Sequence, residues 1–268
     1  MYSGTEETES PLEEGSLFKY GNLTDAILAE NNKTYGFQKP VGSSTLLLAG
    51  GGAKSWSNIT ANTADNAPGF SDKNIQVADV TNPDGPKVSV RVATVDDYKK
   101  LRDGVDREFG YGVLYGDGAT ETLEKVDEVY GYYRDGNASY GMRGCFVYNK
   151  VNGNNLFFPI GASGYGRRRT EKSWYNSGIS LPGALQYAWR SKRYSEYTDA
   201  WSTLAYRPMF ESVYMRPGAV YWCEKLIDNQ CYLDINYFTL DFGVGGKEPL
   251  DGTNGSACFI RCVEDVEP

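Results

Sequence analysis

The stretch best equipped for chemistry lies late in the chain, where CEKLIDNQCY runs from Cys223 to Tyr232 between two segments of strand character. Glu224, Lys225, Asp228, Asn229, Gln230 and Tyr232 bring carboxylate, ammonium, carboxamide and phenol groups into one polar excursion. Such groups fix a ligand's orientation by hydrogen bonds, while the rings of Trp222, Trp189, Tyr194 and Trp201 could stack on a sugar or fill a partner's pocket. This is recognition chemistry rather than turnover. The chain has no histidine, which removes a Ser-His-Asp triad, a Cys-His dyad and most zinc sites. Its many carboxylates show no spacing that pairs two of them, and sequence separation alone cannot supply the short distances that acid/base hydrolysis needs. No catalytic residue, metal or cofactor is expected, and the expectation is a protein that is not an enzyme.

Two other clusters imitate known sites. Gly50-Gly51-Gly52-Ala53-Lys54-Ser55 follows the apolar run Thr45-Leu46-Leu47-Leu48 and carries the ingredients of a phosphate-binding loop. The spacing fails, because that motif needs glycine where Leu48 and Ala53 stand, so a glycine turn before Trp56 is expected. Arg167-Arg168-Arg169 could clamp a phosphate or carboxylate, or form a solvated loop. Five cysteines leave at least one thiol unbridged. Cys223 and Cys231 flank the polar excursion and could face one another, the alternative being that all five pack as small hydrophobes. Cys258 and Cys262, if they share one strand, stand about 13 Å apart at about 3.3 Å per residue, beyond disulfide reach.

The elements that must position these groups are β-rich. Of 268 residues, 40% are apolar, enough for a core, and 31 glycines with 21 tyrosines favour a loop-rich β or α+β protein over a helical bundle. The tyrosines serve either as binding surface or as cross-strand and core-edge packing. A net charge of −8 argues against nucleic acid and anionic membrane as partners. No apolar run is long enough for a membrane span. Residues 1–16 are acidic and polar and read as a disordered leader or the trimmed end of an expressed chain, leaving a single domain over 17–268.

Within that domain, residues 57–87 read as long surface loops. Val88, Val90 and Val92 alternate as a half-buried strand; Thr94 and Asp97 have the spacing of a capping box. Tyr98, Leu101, Val105 and Phe109 predict a helix to about Gly110, and a weaker helical pattern spans Thr120–Tyr130. Asn152-Gly153 between two apolar runs signals a hairpin whose second strand stops at Pro159. Leu185, Tyr187 and Trp189 alternate, and Tyr194, Tyr197, Trp201 and Leu204 have helical spacing, placing them either in the core or in an exposed aromatic patch. Ala219–Trp222, the alternating run from Asp234 to Phe242 and Ala257–Val263 read as strands.

Four blocks carry a resemblance: NPDGPKVSVRVATVDDYKKL, GCFVYNKVNGNNLFFPIGASGYGRR, GAVYWCEKL through DINYFTLDFG, and ACFIRCVED. In this order they resemble the Fibrobacter succinogenes major paralogous (FISUMP) domain, a C-type-lectin-like module of Bacteroidales surface and fimbrial tip proteins, over residues 82–264. The resemblance implies an α+β, C-type-lectin-like fold, with small antiparallel sheets, two helices, long loops and neighbouring termini. It also implies an extracellular place on the cell surface or fimbrium. The chain departs from the sugar-chelating lectins of that fold: Glu248-Pro249 is followed by Leu250 rather than Asn, and there is no Trp-Asn-Asp. Calcium-mediated sugar binding is therefore not expected, although Asp228, Asp234 and Asp241 could meet a cation. The function implied is an adhesive module that binds a glycan or protein on another cell surface. The alternatives are a structural subunit that docks other pilus subunits, or a retroelement-diversified binding protein whose variable region would be Trp222–Tyr237.

Overall fold

The computed structural model describes residues 1–4, 13, 15–31, 40–62, 68–79, 82–115, 129–130, 137–159, 219–227, 230–235, 240–244 and 257–265. Strands β1 (Ser16–Lys19), β2 (Ile27–Leu28), β3 (Thr45–Leu47), β4 (Ala53–Ser55), β5 (Ile75–Val77) and β6 (Val88–Val92) precede helix α1 (Val95–Asp103). After it come β7 (Arg107–Tyr115), β8 (Val129–Tyr130), β9 (Asn137–Asn149) and β10 (Asn155–Pro159). The last described strands are β11 (Ala219–Ile227), β12 (Gln230–Ile235), β13 (Leu240–Val244), β14 (Ala257–Cys258) and β15 (Cys262–Val263).

These strands form small sheets ordered β14-β1-β2, β15-β6-β5, β10-β9-β7 and β11-β12-β13, with β3-β4 as a separate hairpin. Between these strands pairing is antiparallel, except where β8 lies parallel to β9. Late strands pair with early ones, Phe18 opposite Cys258 and Val92 opposite Cys262, which draws both ends of the described chain into one core.

β11 divides that core. Its first half is apolar on both faces, as a strand covered on both sides must be. Tyr221 and Cys223 enter a cluster with Leu17, Trp56, Phe158 and Phe259, and Val220 and Trp222 enter a second with Phe18, Tyr20, Phe70 and Ile260. β11 also runs parallel to the segment at Phe259, whose N–H donates to Val220 O at 3.0 Å and whose carbonyl accepts from Trp222 N–H at 2.9 Å. Lys19 is enclosed beside Trp56: its Nζ donates to Trp56 O at 2.8 Å and lies 4.0 Å from the ring centroid. Charge and π-face thus meet away from water.

Where signals are local, expectation and structure agree. The Thr94–Asp97 capping box is present, with the Asp97 N–H donating to Thr94 Oγ1 at 3.0 Å and the Thr94 N–H to Asp97 Oδ2 at 2.8 Å. Gly51 and Gly52, at φ +86° and +79°, turn β3 into β4, and Gly153, at φ +75°, turns β9 into β10.

Several expectations need correction. The helix stops at Asp103, and Arg107–Tyr115 is a strand paired with β9 from Arg107–Asn149 to Tyr115–Gly141. A long ladder to β9 outweighs the helical spacing of Val105 and Phe109, and Val105 ends 87% exposed. The end of the second expected helix, Val129–Tyr130, is strand β8, and residues 120–128 lie outside the described residues. The loops of 57–87 include β5, which pairs with β6. The run from Asp234 to Phe242 belongs to two antiparallel strands, Ile235 pairing with Leu240. Cys258 and Cys262 stand on separate strands.

Within the stretch expected to be a disordered leader, the described residues at Tyr2 and Ser16 are anchored, while residues 5–12 and 14 lie outside the described residues. Tyr2 N–H donates to Ile260 O at 3.3 Å, Tyr2 O accepts from Ser16 N–H at 3.1 Å, and the Tyr2 ring stacks on Phe18 with centroids 5.6 Å apart. Leu185–Trp189, Lys192–Leu204 and Arg167–Arg169 lie outside the described residues.

Candidate functional site

The second half of β11 is the part of the expected recognition stretch whose side chains the structure describes. The types of Cys223–Tyr232 suggest a polar excursion; instead β11 continues as a strand through Ile227, and β12, which begins at Gln230, pairs antiparallel with it. The ladder pairs Trp222 with Tyr232 and Ile227 with Gln230, with a register shift between. Over that irregular stretch the backbone finds other partners. The Glu224 N–H donates to Ala93 O at 2.9 Å, the Glu224 carbonyl accepts from Phe70 N–H at 2.7 Å, and the Leu226 N–H donates to Tyr20 Oη at 2.9 Å. Buried main-chain groups must be paired somewhere, and here the pairing holds the bulged strand on the core.

Tyr20 and Gly69 make this seat possible. The Tyr20 ring meets Trp222 and Phe70 edge-on at 5.2 and 5.6 Å, which aims its hydroxyl at the Leu226 amide. Gly69 passes beneath; a Cβ there would come within 2.5 Å of both Glu224 O and Tyr20 Oη, and its φ of +61° also favours glycine. Above the seat, Glu224 and Ile227 are half-buried, while Lys225 and Leu226 are exposed. Leu226 is 42% exposed, an apolar side chain between an ammonium and a half-buried isoleucine.

The expected site residues therefore divide. Trp222 is core and cannot meet a ligand: it is fully buried and its Nε1 donates to Phe18 O at 2.6 Å. The reason is register, because Trp222 shares a β11 face with Val220 and both enter the core cluster around Tyr20. Lys225 is exposed and Glu224 half-buried. Gln230 and Tyr232 have backbone places on β12, opposite Ile227 and Trp222. Asp228, Asn229, Trp189, Tyr194 and Trp201 lie outside the described residues. Cys223 is buried on β11 and Cys231 is on the adjacent β12, both next to the Trp222–Tyr232 pair.

Behind this surface, the Tyr98 hydroxyl is buried, and among the described residues it has no hydrogen-bond partner. Burial, with Cys223 nearby, pushes its phenol well above the ordinary value. Beside Tyr98 in the first turn of α1, Asp97 joins Arg91 at 2.5 Å, and Arg91 also joins Asp265 at 2.7 Å, tying the last described strand region to the helix cap. Burial would raise the Asp97 carboxyl, but hydrogen bonds from Arg91 and Thr94 outweigh it and hold the group at about 2.

A second feature has no counterpart in the sequence reading. A surface cleft of about 450 Å³ opens between the turn at Asn22 and the segment at Thr60. Its only local signal is Asn22-Leu23-Thr24-Asp25, where the Asn22 side chain caps the turn by accepting the N–H groups of Thr24 and Asp25 at 3.0 and 3.1 Å. The opposing wall is distant in sequence and gives no sign of it.

Among the described residues, no helix is long and apolar enough to cross a membrane, and no cluster of three carboxylates or thiols has a metal-binding arrangement. Comparison of the chain with protein-family models, with curated proteins and with solved structures finds no match.

Proposed function

We propose that this chain is an extracellular ligand-binding module, the adhesive domain of a cell-surface or pilus-tip protein with a C-type-lectin-like arrangement, and that it recognises a glycan or protein on another surface. The observation that carries the reading is the seat of β11: bonds to Ala93, Phe70 and Tyr20 fix a strand on which Lys225 and Leu226 are exposed and Glu224 is half-buried. An interaction surface gains most when its backbone is ordered before the partner arrives, because less entropy is lost on binding. An exposed apolar side chain beside a carboxylate and an ammonium offers one desolvated contact and two orienting groups. Asp228, Asn229, Gln230 and Tyr232 follow directly in the sequence and are included in the proposed surface on their chemistry, Asp228 and Asn229 lying outside the described residues.

The test is binding to a glycan array and to intact host cells, comparing the parent chain with a Lys225→Ala/Leu226→Ala variant and with a triple alanine variant at Asp228, Asn229 and Tyr232. Loss of binding in both, with unchanged circular dichroism, supports the reading. Undiminished binding by both variants contradicts the assignment of this surface.

A further inference from the structure

The cleft beside Asn22 has its two walls tied together, and its chemistry points to a ligand class. Asn22 works as its clamp. Its carboxamide donates to Thr60 O at 2.9 Å and to Asp25 Oδ2 at 3.2 Å while the amide oxygen caps the turn, so its polar groups are occupied in holding the two walls together. Main-chain bonds add to this: Asn22 N–H donates to Lys19 O at 3.0 Å and Asn62 N–H to Tyr20 O at 2.7 Å. Gly21, at φ +70°, lies where a Cβ would come within 2.7 Å of Asn62 Cβ, so the walls are in contact at the base.

The charges around the cleft are already matched. Asp25 pairs with Lys54 at 2.5 Å, and Lys73 pairs with Asp72 at 2.9 Å. Neither charge that lines the cleft therefore stands without an oppositely charged neighbour. The groups left to a ligand are neutral. Among the described residues, no hydrogen bond engages the Thr24 or Thr60 hydroxyl or the Asn62 carboxamide, and all three line the opening. Leu23 and Ala61, half-buried against the core cluster around Tyr20, add apolar patches between them. Hydroxyls and an amide interleaved with small apolar surfaces suit a ring that has hydroxyls at its edge and C–H groups on its face. The volume lies within the roughly 300–1,000 Å³ of small-molecule sites.

We propose that this cleft binds a neutral saccharide of one or two rings, with its hydroxyls on Thr24, Thr60 and Asn62 and its C–H face on Leu23 and Ala61. The site is separate from the β11 surface and stands whether or not that surface binds a partner.

The experiment is an amide-resolved NMR titration of the whole ¹⁵N-labelled chain with glucose, galactose, mannose, N-acetylglucosamine and lactose, and with inorganic phosphate as the charged probe. Single-sugar affinities on the order of 1–10 mM are expected for so open a site. At least one sugar should give saturable shifts at Leu23–Asp25 and Thr60–Asn62. Thr60→Ala/Asn62→Ala should weaken that binding about tenfold or more. Thr24→Val, which keeps the side-chain shape, should weaken it as well. Lys225→Ala/Leu226→Ala should leave it unchanged, so failure of the β11 surface cannot be confused with failure of the cleft. The proposal is overturned by no saturable shift with any sugar, by shifts confined to Lys225–Ile227, by a response to phosphate alone, or by binding that survives both cleft variants.

Discussion

Trp222→Phe separates the two roles open to that residue. In the structure the indole is fully buried, packs edge-on to Tyr20 at 5.2 Å and donates from Nε1 to Phe18 O at 2.6 Å, which ties β11 to β1. A phenyl ring keeps most of the apolar contact but removes the donor and leaves a small void. Losing the donor at a buried acceptor costs about 1–3 kcal/mol. The part of the ring removed adds about 1 kcal/mol, on the scale of roughly 3–5 kcal/mol for deleting a whole buried aromatic. The expected loss is therefore about 2–4 kcal/mol, or roughly 5–15 °C in Tm for a chain of this size. Urea and thermal unfolding followed by far-ultraviolet circular dichroism measure it. An unchanged midpoint, together with weakened binding to any partner, would refute the placement of Trp222 in the core and restore it as a contact residue.

Other perturbations test the rest of the framework. Tyr98→Phe removes a buried hydroxyl that has no partner among the described residues, and is expected to raise stability by up to about 1–3 kcal/mol; a clear loss in the same urea titration would mean that the hydroxyl is bonded. Gly69→Ala places a Cβ against Glu224 O and Tyr20 Oη at a positive φ, so it should cost at least about 2 kcal/mol and speed amide exchange at Phe70 and Leu226; parent-like exchange there would contradict the close approach. Asp97 gives a pH signature. Its carboxyl is held at about 2 against an ordinary 3.8, so its stabilisation is fully present above about pH 4 and fades as pH falls toward 2. After allowance for solvent screening this amounts to about 1–2 kcal/mol. Asp97→Asn should flatten that part of the acid limb, and an unaltered limb would show that the Arg91 and Thr94 bonds do not set the titration.

Local chemistry made part of this fold legible. Thr94 and Asp97 sit three residues apart and need only each other, and the Gly50–Gly52 and Asn152-Gly153 turns are decided by backbone freedom at single positions. Pairing over long distances was not legible. Arg107–Tyr115 carries a helical spacing at its start, and only the ladder to β9 makes it a strand. Glu224–Ile227 looks like the beginning of a loop because its side chains turn polar, yet the bonds that keep it in a strand come from Ala93, Phe70 and Tyr20, none of them near it in the chain. The same separation hid the cleft. Asn22 announces a turn, but nothing nearby announces that Thr60 and Asn62 will face it. Trp222 was ambiguous for a related reason: a tryptophan beside polar residues suits a binding surface and a strand buried on both faces equally well until the partner of its Nε1 is known.

The most direct test of the central claim is the binding of the chain to a glycan array and to intact host cells with and without the Lys225→Ala/Leu226→Ala pair. Both side chains are exposed, so the variant should keep the parent's circular dichroism and unfolding midpoint. The account predicts saturable binding by the parent and a loss of about tenfold or more in the variant. Parent-level binding by a folded variant, or no binding by the parent to any glycan or cell surface, would contradict it.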